Sequence, residues 1–150
     1  MKHAPLMKNL AIAVLLLGLG VASCTQKDNQ QQAQELNDKM PVFAVLDSVA
    51  YDFGTVQEGA TVEHSFAFRN DGQFPLIINN VTASCGCTVP EWPREPIAPG
   101  GESTILVRFN SKGKPGPQVK TVTVYANTLP ATSELRIQGI VEAAPDSTQI

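Results

Sequence analysis

Three cysteines, two histidines and one tryptophan are few chemistry-bearing side chains for 150 residues. Removal of a leader that carries His3 leaves His64 as the single histidine, so a Ser-His-Asp or Cys-His arrangement has only one available base. HExxH, a phosphate-binding glycine loop and GxSxG are all missing, which leaves hydrolase and nucleotide-binding readings without support. Positive charge is also scarce. The net charge of -3 falls to about -5 once Lys2 and Lys8 leave with a signal segment, and nucleic acid is excluded as the expected partner. The apolar run from Leu10 to Val21 is about a dozen residues, against the roughly 20 that a membrane-spanning helix needs. Between Pro41 and Val141 no stretch has the length and periodicity of a core helix.

What is present begins with an address. Lys2 and Lys8, the apolar run and the small residues Ala22 and Ser23 stand in the order of a secretory signal. Val21-Ala22-Ser23-Cys24 resembles a bacterial lipoprotein lipobox. The resemblance implies that Cys24 becomes the lipidated first residue of the mature chain, attached to a membrane by acyl chains worth about 0.8 kcal/mol per buried methylene. The competing reading is a soluble secreted protein with a free Cys24. Residues 1–23 are therefore expected to be the signal peptide, and 24–40, rich in Gln, a flexible polar linker spanning on the order of 20 Å. A short helix through Gln31 to Lys39 would have no apolar stripe to hold it down.

From Pro41 onward, runs of Val, Ile, Thr and Phe recur between turn residues. Strands are expected over Val42 to Leu46, Ala50 to Phe53, Thr61 to Arg69, Leu76 to Thr82, around Ile105 to Phe109, Val119 to Ala126 and Glu134 to Val141. Alternation turns Val62, His64, Phe66 and Phe68 to one face of the third. Ile105, Val107 and Phe109 share a face, and Val122, Val124, Leu135, Ile137 and Val141 form the last inward set. Gly54 and Gly59 are read as framing a turn, Asn70-Asp71-Gly72 as a hairpin turn and Ser111 to Pro117 as a loop. The chain is thus expected to be all-β, an immunoglobulin-like β-sandwich of about seven strands over residues 41–143, with a disordered tail at 144–150.

Asp52-Phe53-Gly54-Thr55-Val56, Gly59, Phe66-x-Phe68-x-Asn70-x-Gly72, Pro75-Leu76-x-Ile78, Ser84-Cys85-Gly86-Cys87-Thr88, Pro99-Gly100 and Phe109 together resemble the bacterial domain-of-unknown-function 1573 family. That family is similar in turn to the immunoglobulin-like domains of the major sperm protein and the ciliary ASH group, which serve as interaction modules. The resemblance implies the sandwich fold and brings no enzymatic activity and no cofactor. The expected role is a binding or scaffold module on an exported lipoprotein of the cell envelope, at the outer membrane, with a protein partner there.

The alternative is a thiol-dependent redox or metal-binding protein using Cys85-Gly86-Cys87. On an extended strand the two Cα atoms would lie about 6.6 Å apart, at the far limit for a disulfide unless Gly86 bends the chain. Two thiols and His64 fall short of the four ligands of a structural zinc site, so no metal is expected. Packing or a static disulfide is the plainer role for the pair. Trp92, between Pro90 and Pro93, is either a binding anchor or a cap on one end of the sandwich. Asp47-Ser48-Val49 resembles a short bacterial O-glycosylation acceptor, as Asp146-Ser147-Thr148 does more weakly. Glu91, Glu95 and Glu102 are read as solvated charges rather than catalytic acids, and His64 as a core or turn histidine bonded to a backbone carbonyl.

Overall fold

The computed structural model describes residues 24–144. The signal segment 1–23, residues 145–150 of the expected tail with the Asp146-Ser147-Thr148 triplet, and the side chain of Cys24 lie outside the described residues.

Where a flexible linker was expected, the chain forms helix α1, Cys24–Lys39. No Gly or Pro interrupts that stretch, and Gln, Glu, Lys, Ala and Leu are all strong helix formers. The side chains of Gln30 and of residues 32–38 are exposed, so propensity rather than packing favours this helix. It is a unit separate from the sandwich, the division falling between Asp38 and Lys39.

The sandwich has eight strands: β1 Phe43–Val45, β2 Ala50–Gln57, β3 Thr61–Asn70, β4 Ile78–Ala83, β5 Thr88–Glu91, β6 Glu102–Asn110, β7 Gly116–Ala126 and β8 Thr132–Glu142. They form two four-stranded sheets in the orders β1-β3-β6-β5 and β2-β8-β7-β4. All pairings are antiparallel except β2 with β8. The inward residues expected from alternation fill the space between the sheets: Phe66, Phe68, Ile105, Val107, Phe109, Val122, Val124, Leu135, Ile137 and Val141 are all buried. The described apolar core lies wholly between Val62 and Val141, so the domain supplies its own interior.

Two turn expectations are corrected. Gly54 does not end a strand. It takes a positive φ of 67° inside β2, its N–H donating to the Asp52 carboxylate at 2.8 Å, and the register with β8 shifts between Asp52 and Thr55. The outcome is a bulge, because glycine reaches that conformation without the steric cost other residues meet. Asn70-Asp71-Gly72 does not make a hairpin either, since β3 and β4 belong to different sheets.

The cause is Asn70, which follows Val62, Phe66 and Phe68 in the inward series and is completely buried. Its Nδ2 donates to the carbonyls of Phe74 at 2.8 Å and Ile97 at 3.0 Å. Its Oδ1 accepts from the N–H groups of Gly72 at 3.0 Å and Val42 at 3.2 Å. One side chain thus holds three loop segments and sends the chain across to the second sheet. Gly72 is required by close approach: a Cβ there would stand 2.2 Å from the carbonyl oxygen of Met40.

β1 and β6 begin, and β3 ends, at the pole where the chain arrives through Met40, here called proximal. β4 ends and β5 begins at the opposite, distal pole.

Candidate functional site

The distal pole carries the Ser84–Thr88 turn, which takes the chain from β4 in one sheet to β5 in the other. Gly86 bends it as the sequence allows, and Cys85 and Cys87 are joined as a disulfide with Cα atoms 5.3 Å apart. The turn is tied to both sheets. Asn110 N–H donates to the Cys87 carbonyl at 2.9 Å, Ser84 N–H to Thr121 O at 2.9 Å, and Thr88 N–H to Cys85 O at 3.2 Å. The buried Thr88 hydroxyl lies 3.6 Å from Cys85 Sγ and 4.0 Å from Cys87 Sγ. Beside the disulfide opens a cleft of about 720 Å³, lined among others by Gly86, Cys87, Val89, Arg108, Lys112 and Lys114. Its charge is balanced rather than cationic, because Arg108 is paired with Glu63 and Glu91, and Glu58 accepts from Gly113 N–H at the loop bearing the lysines.

Among the described residues no cluster of three or more His, Cys, Asp or Glu side chains is placed to hold a metal ion. With both sulfurs bonded to each other, the pair offers no free thiolate as ligand or nucleophile. Glu91 belongs to the ion pair with Arg108, and Glu102 lies opposite Arg69 in the β3–β6 register.

His64 is half-buried at the sandwich edge, and rings surround it where a carbonyl partner was expected. It stacks on Tyr51 of β2, centroids 3.8 Å apart, and meets Phe66 edge-on at 4.6 Å. Burial lowers its pKa below the ordinary 6.5, with Asp47 pulling weakly the other way. The folded state thus binds a proton less readily than the unfolded chain. The stability that the neutral ring contributes is complete above about 6.5 and is lost as pH falls through the lowered folded value. The urea midpoint is expected to drop on going from pH 7.5 to 5, and His64→Phe, which keeps a ring there but cannot titrate, should flatten that drop. An unchanged slope in the variant would assign the pH dependence to other groups.

Trp92 follows β5, half-buried against the core, with the Arg94 guanidinium 3.8 Å over its ring. Its indole N–H is buried and has no hydrogen-bond partner among the described residues. The same ring borders a shallow groove of about 390 Å³ with Glu91, Pro93, Ser103, Thr104 and Leu106. Ser48 lies exposed between β1 and β2, its hydroxyl accepting from Ala50 N–H at 3.1 Å, so the Asp47-Ser48-Val49 triplet is accessible. The sequence left the state of Cys85 and Cys87 open between packing, a disulfide and a thiol site, and here they are bonded. Sequence reasoning missed Thr88 beneath them, although a threonine beginning a strand straight after the second cysteine is a visible signal.

A family profile described as "Protein of unknown function (DUF1573)" matches residues 44–141, most of the chain and nearly all of the sandwich. The chain belongs to this family. Among solved structures, the DUF1573 domain is similar to a protein of unknown function from Porphyromonas gingivalis W83, with a TM-score of 0.59 and 17% identity over 69% of this chain. The chain spans 48% of that protein, about half its length. The ASH / PapD-like domain 7 of human CEP192 matches with a TM-score of 0.56 and 12% identity, over 72% of this chain and 89% of that one. The secreted serine protease VesC from Vibrio cholerae matches at 0.50 and 14% identity, over 76% of this chain and 26% of the protease. At such identities the likeness shows the immunoglobulin-like fold alone and carries no protease activity to the DUF1573 chain. No curated protein sequence matches it.

Proposed function

We propose that this chain is an exported lipoprotein, held in the cell envelope by lipid on Cys24, at the outer membrane, whose sandwich binds or scaffolds a protein partner there. The observation that carries the reading is the order of parts: an apolar run, Val21-Ala22-Ser23-Cys24, a helix with an exposed polar surface, then a domain with its own core. A bonded Cys85–Cys87 pair supports an oxidising compartment outside the cytosol. Binding is favoured over catalysis because His64 is stacked on Tyr51 with Phe66 edge-on and the two domain cysteines are bonded to each other, which leaves neither as a nucleophile beside a base.

Cells expressing the full chain and fed a labelled fatty acid should yield a labelled protein in the membrane fraction. Cys24→Ala should abolish the label and either leave the precursor uncleaved or release the protein. Continued labelling and membrane retention of that variant would refute the anchor.

A further inference from the structure

The proximal pole carries exposed apolar side chains on two adjacent loops: Phe74, Ile77 and Leu129, the last 70% exposed. The sequence around them is free of charge. No Asp, Glu, Lys or Arg occurs from Gly72 to Pro90 or from Thr121 to Ser133, the stretches that supply the paired strand β4 and the second half of β7. Single exposed apolar residues are ordinary, but a group of them on neighbouring charge-free loops marks a contact surface, with Arg69, Asp71 and Glu102 at this pole lying on the other sheet.

The loop backbones are already hydrogen-bonded internally. Asn127 Oδ1 accepts from Ile77 N–H at 2.8 Å, its Nδ2 donates to Pro75 O at 3.0 Å, and its own N–H donates to Ile77 O at 3.1 Å. Asn70 holds the Phe74 carbonyl, and Thr128 Oγ1 donates to Pro130 O at 2.7 Å. Groups satisfied in this way can leave water at far lower cost than bare ones. The chain itself arrives beside these loops, since Gln73 N–H donates to Lys39 O and Gly72 lies against Met40.

We propose that this pole rests on the bilayer that holds Cys24, with Phe74, Ile77 and Leu129 entering its interfacial layer. The inference depends on the lipoprotein reading for its anchor. Helix α1 has 16 residues and so a length of about 24 Å, and a lipid at its start keeps the bilayer within that reach of the pole. Tethering at such range makes even shallow insertion effective. The pole has no cluster of basic residues on these loops and the chain is net negative, so neutral headgroups suffice and contact is insensitive to salt.

The test uses the chain from Cys24 to Ile150, coupled by its Cys24 thiol to maleimide lipid in phosphatidylcholine nanodiscs that also carry a nitroxide lipid. Coupling replaces whatever the cell does to Cys24. A failed fatty-acid labelling therefore sinks the natural anchor alone, and a failure here sinks the docking alone. Phe74, Ile77 and Leu129 should lose their amide NMR signals to paramagnetic broadening, while Val119 and Ile140, exposed apolar residues toward the distal end, keep theirs. Leu129→Asp should restore the signals without lowering the melting temperature. Equal broadening at both ends, or none, overturns the proposal. So does a dimer of the uncoupled chain, seen by sedimentation without lipid and abolished by Leu129→Asp, which would assign the pole to a second copy.

Discussion

Phe66→Ala is expected to cost about 3 to 5 kcal/mol, the range for truncating a buried phenylalanine. Phe66 is almost completely buried, at the edge of the His64 ring and directly opposite Ile105 of β6. A domain of this size has only about 5 to 15 kcal/mol in all, so the loss takes about a third or more of a stability near the middle of that range and unfolds the domain at its low end. Arg69→Ala is the matched control, three residues along β3 on the outward face, where the pair with Asp71 is solvent-exposed and screened by water, so its loss should hardly matter. Urea denaturation of the two variants measures the difference. Equal, small losses at both positions would contradict the register of β3.

Asn70→Ala should be comparably severe despite removing a smaller side chain. It strips partners from two carbonyls and two N–H groups at once, and each buried polar group left unpaired costs about 1 to 3 kcal/mol where water cannot reach it. Asn70→Asp separates the donor and acceptor roles. Its carboxylate still accepts from Val42 and Gly72 but faces the carbonyls of Phe74 and Ile97 with no proton to give, and burial favours its neutral form. Raised folded-state affinity for a proton means that Asn70→Asp regains stability as pH falls toward 4. A destabilisation relative to the parent that is the same at pH 7 and pH 4.5 would show that the amide donors contribute little.

Strands with one wet face were legible in the sequence, and the reason is visible in β3 and β6. Every second residue from Val62 to Asn70 and from Ile105 to Phe109 turns inward, because alternation follows from the backbone wherever no bulge interrupts the strand. What escaped was decided by contacts distant in sequence. Asn-Asp-Gly is a favourable hairpin composition, yet Asn70 continues the inward parity, and its amide reaches Ile97, 27 residues away. Following the parity one step further would have placed it in the interior. β5 was hidden because Pro90 lies within it, and proline is tolerated there since β5 is an edge strand paired only with β6. The length of α1 was underestimated because its polar surface removes the periodic signal while leaving the propensity intact. Gly86 showed only that a Cys85–Cys87 bond was possible, and the cleft beside it depends on where β6 and the 111–115 loop arrive, which nothing local encodes.

The first two strands divide between the sheets, and both run from the proximal toward the distal pole, β1 along β3 and β2 parallel to β8. A pull applied ahead of Pro41, along the long axis of the sandwich, therefore loads those ladders lengthwise, so that their hydrogen bonds share the force instead of opening one after another. β1 has only three residues and would slip first, while β2, eight residues long and on the opposite sheet, still holds the remainder of the fold. Under tension the domain would thus lengthen in two steps, the first confined to β1 and the turn after it, and the second governed by the unfolding rate of the core.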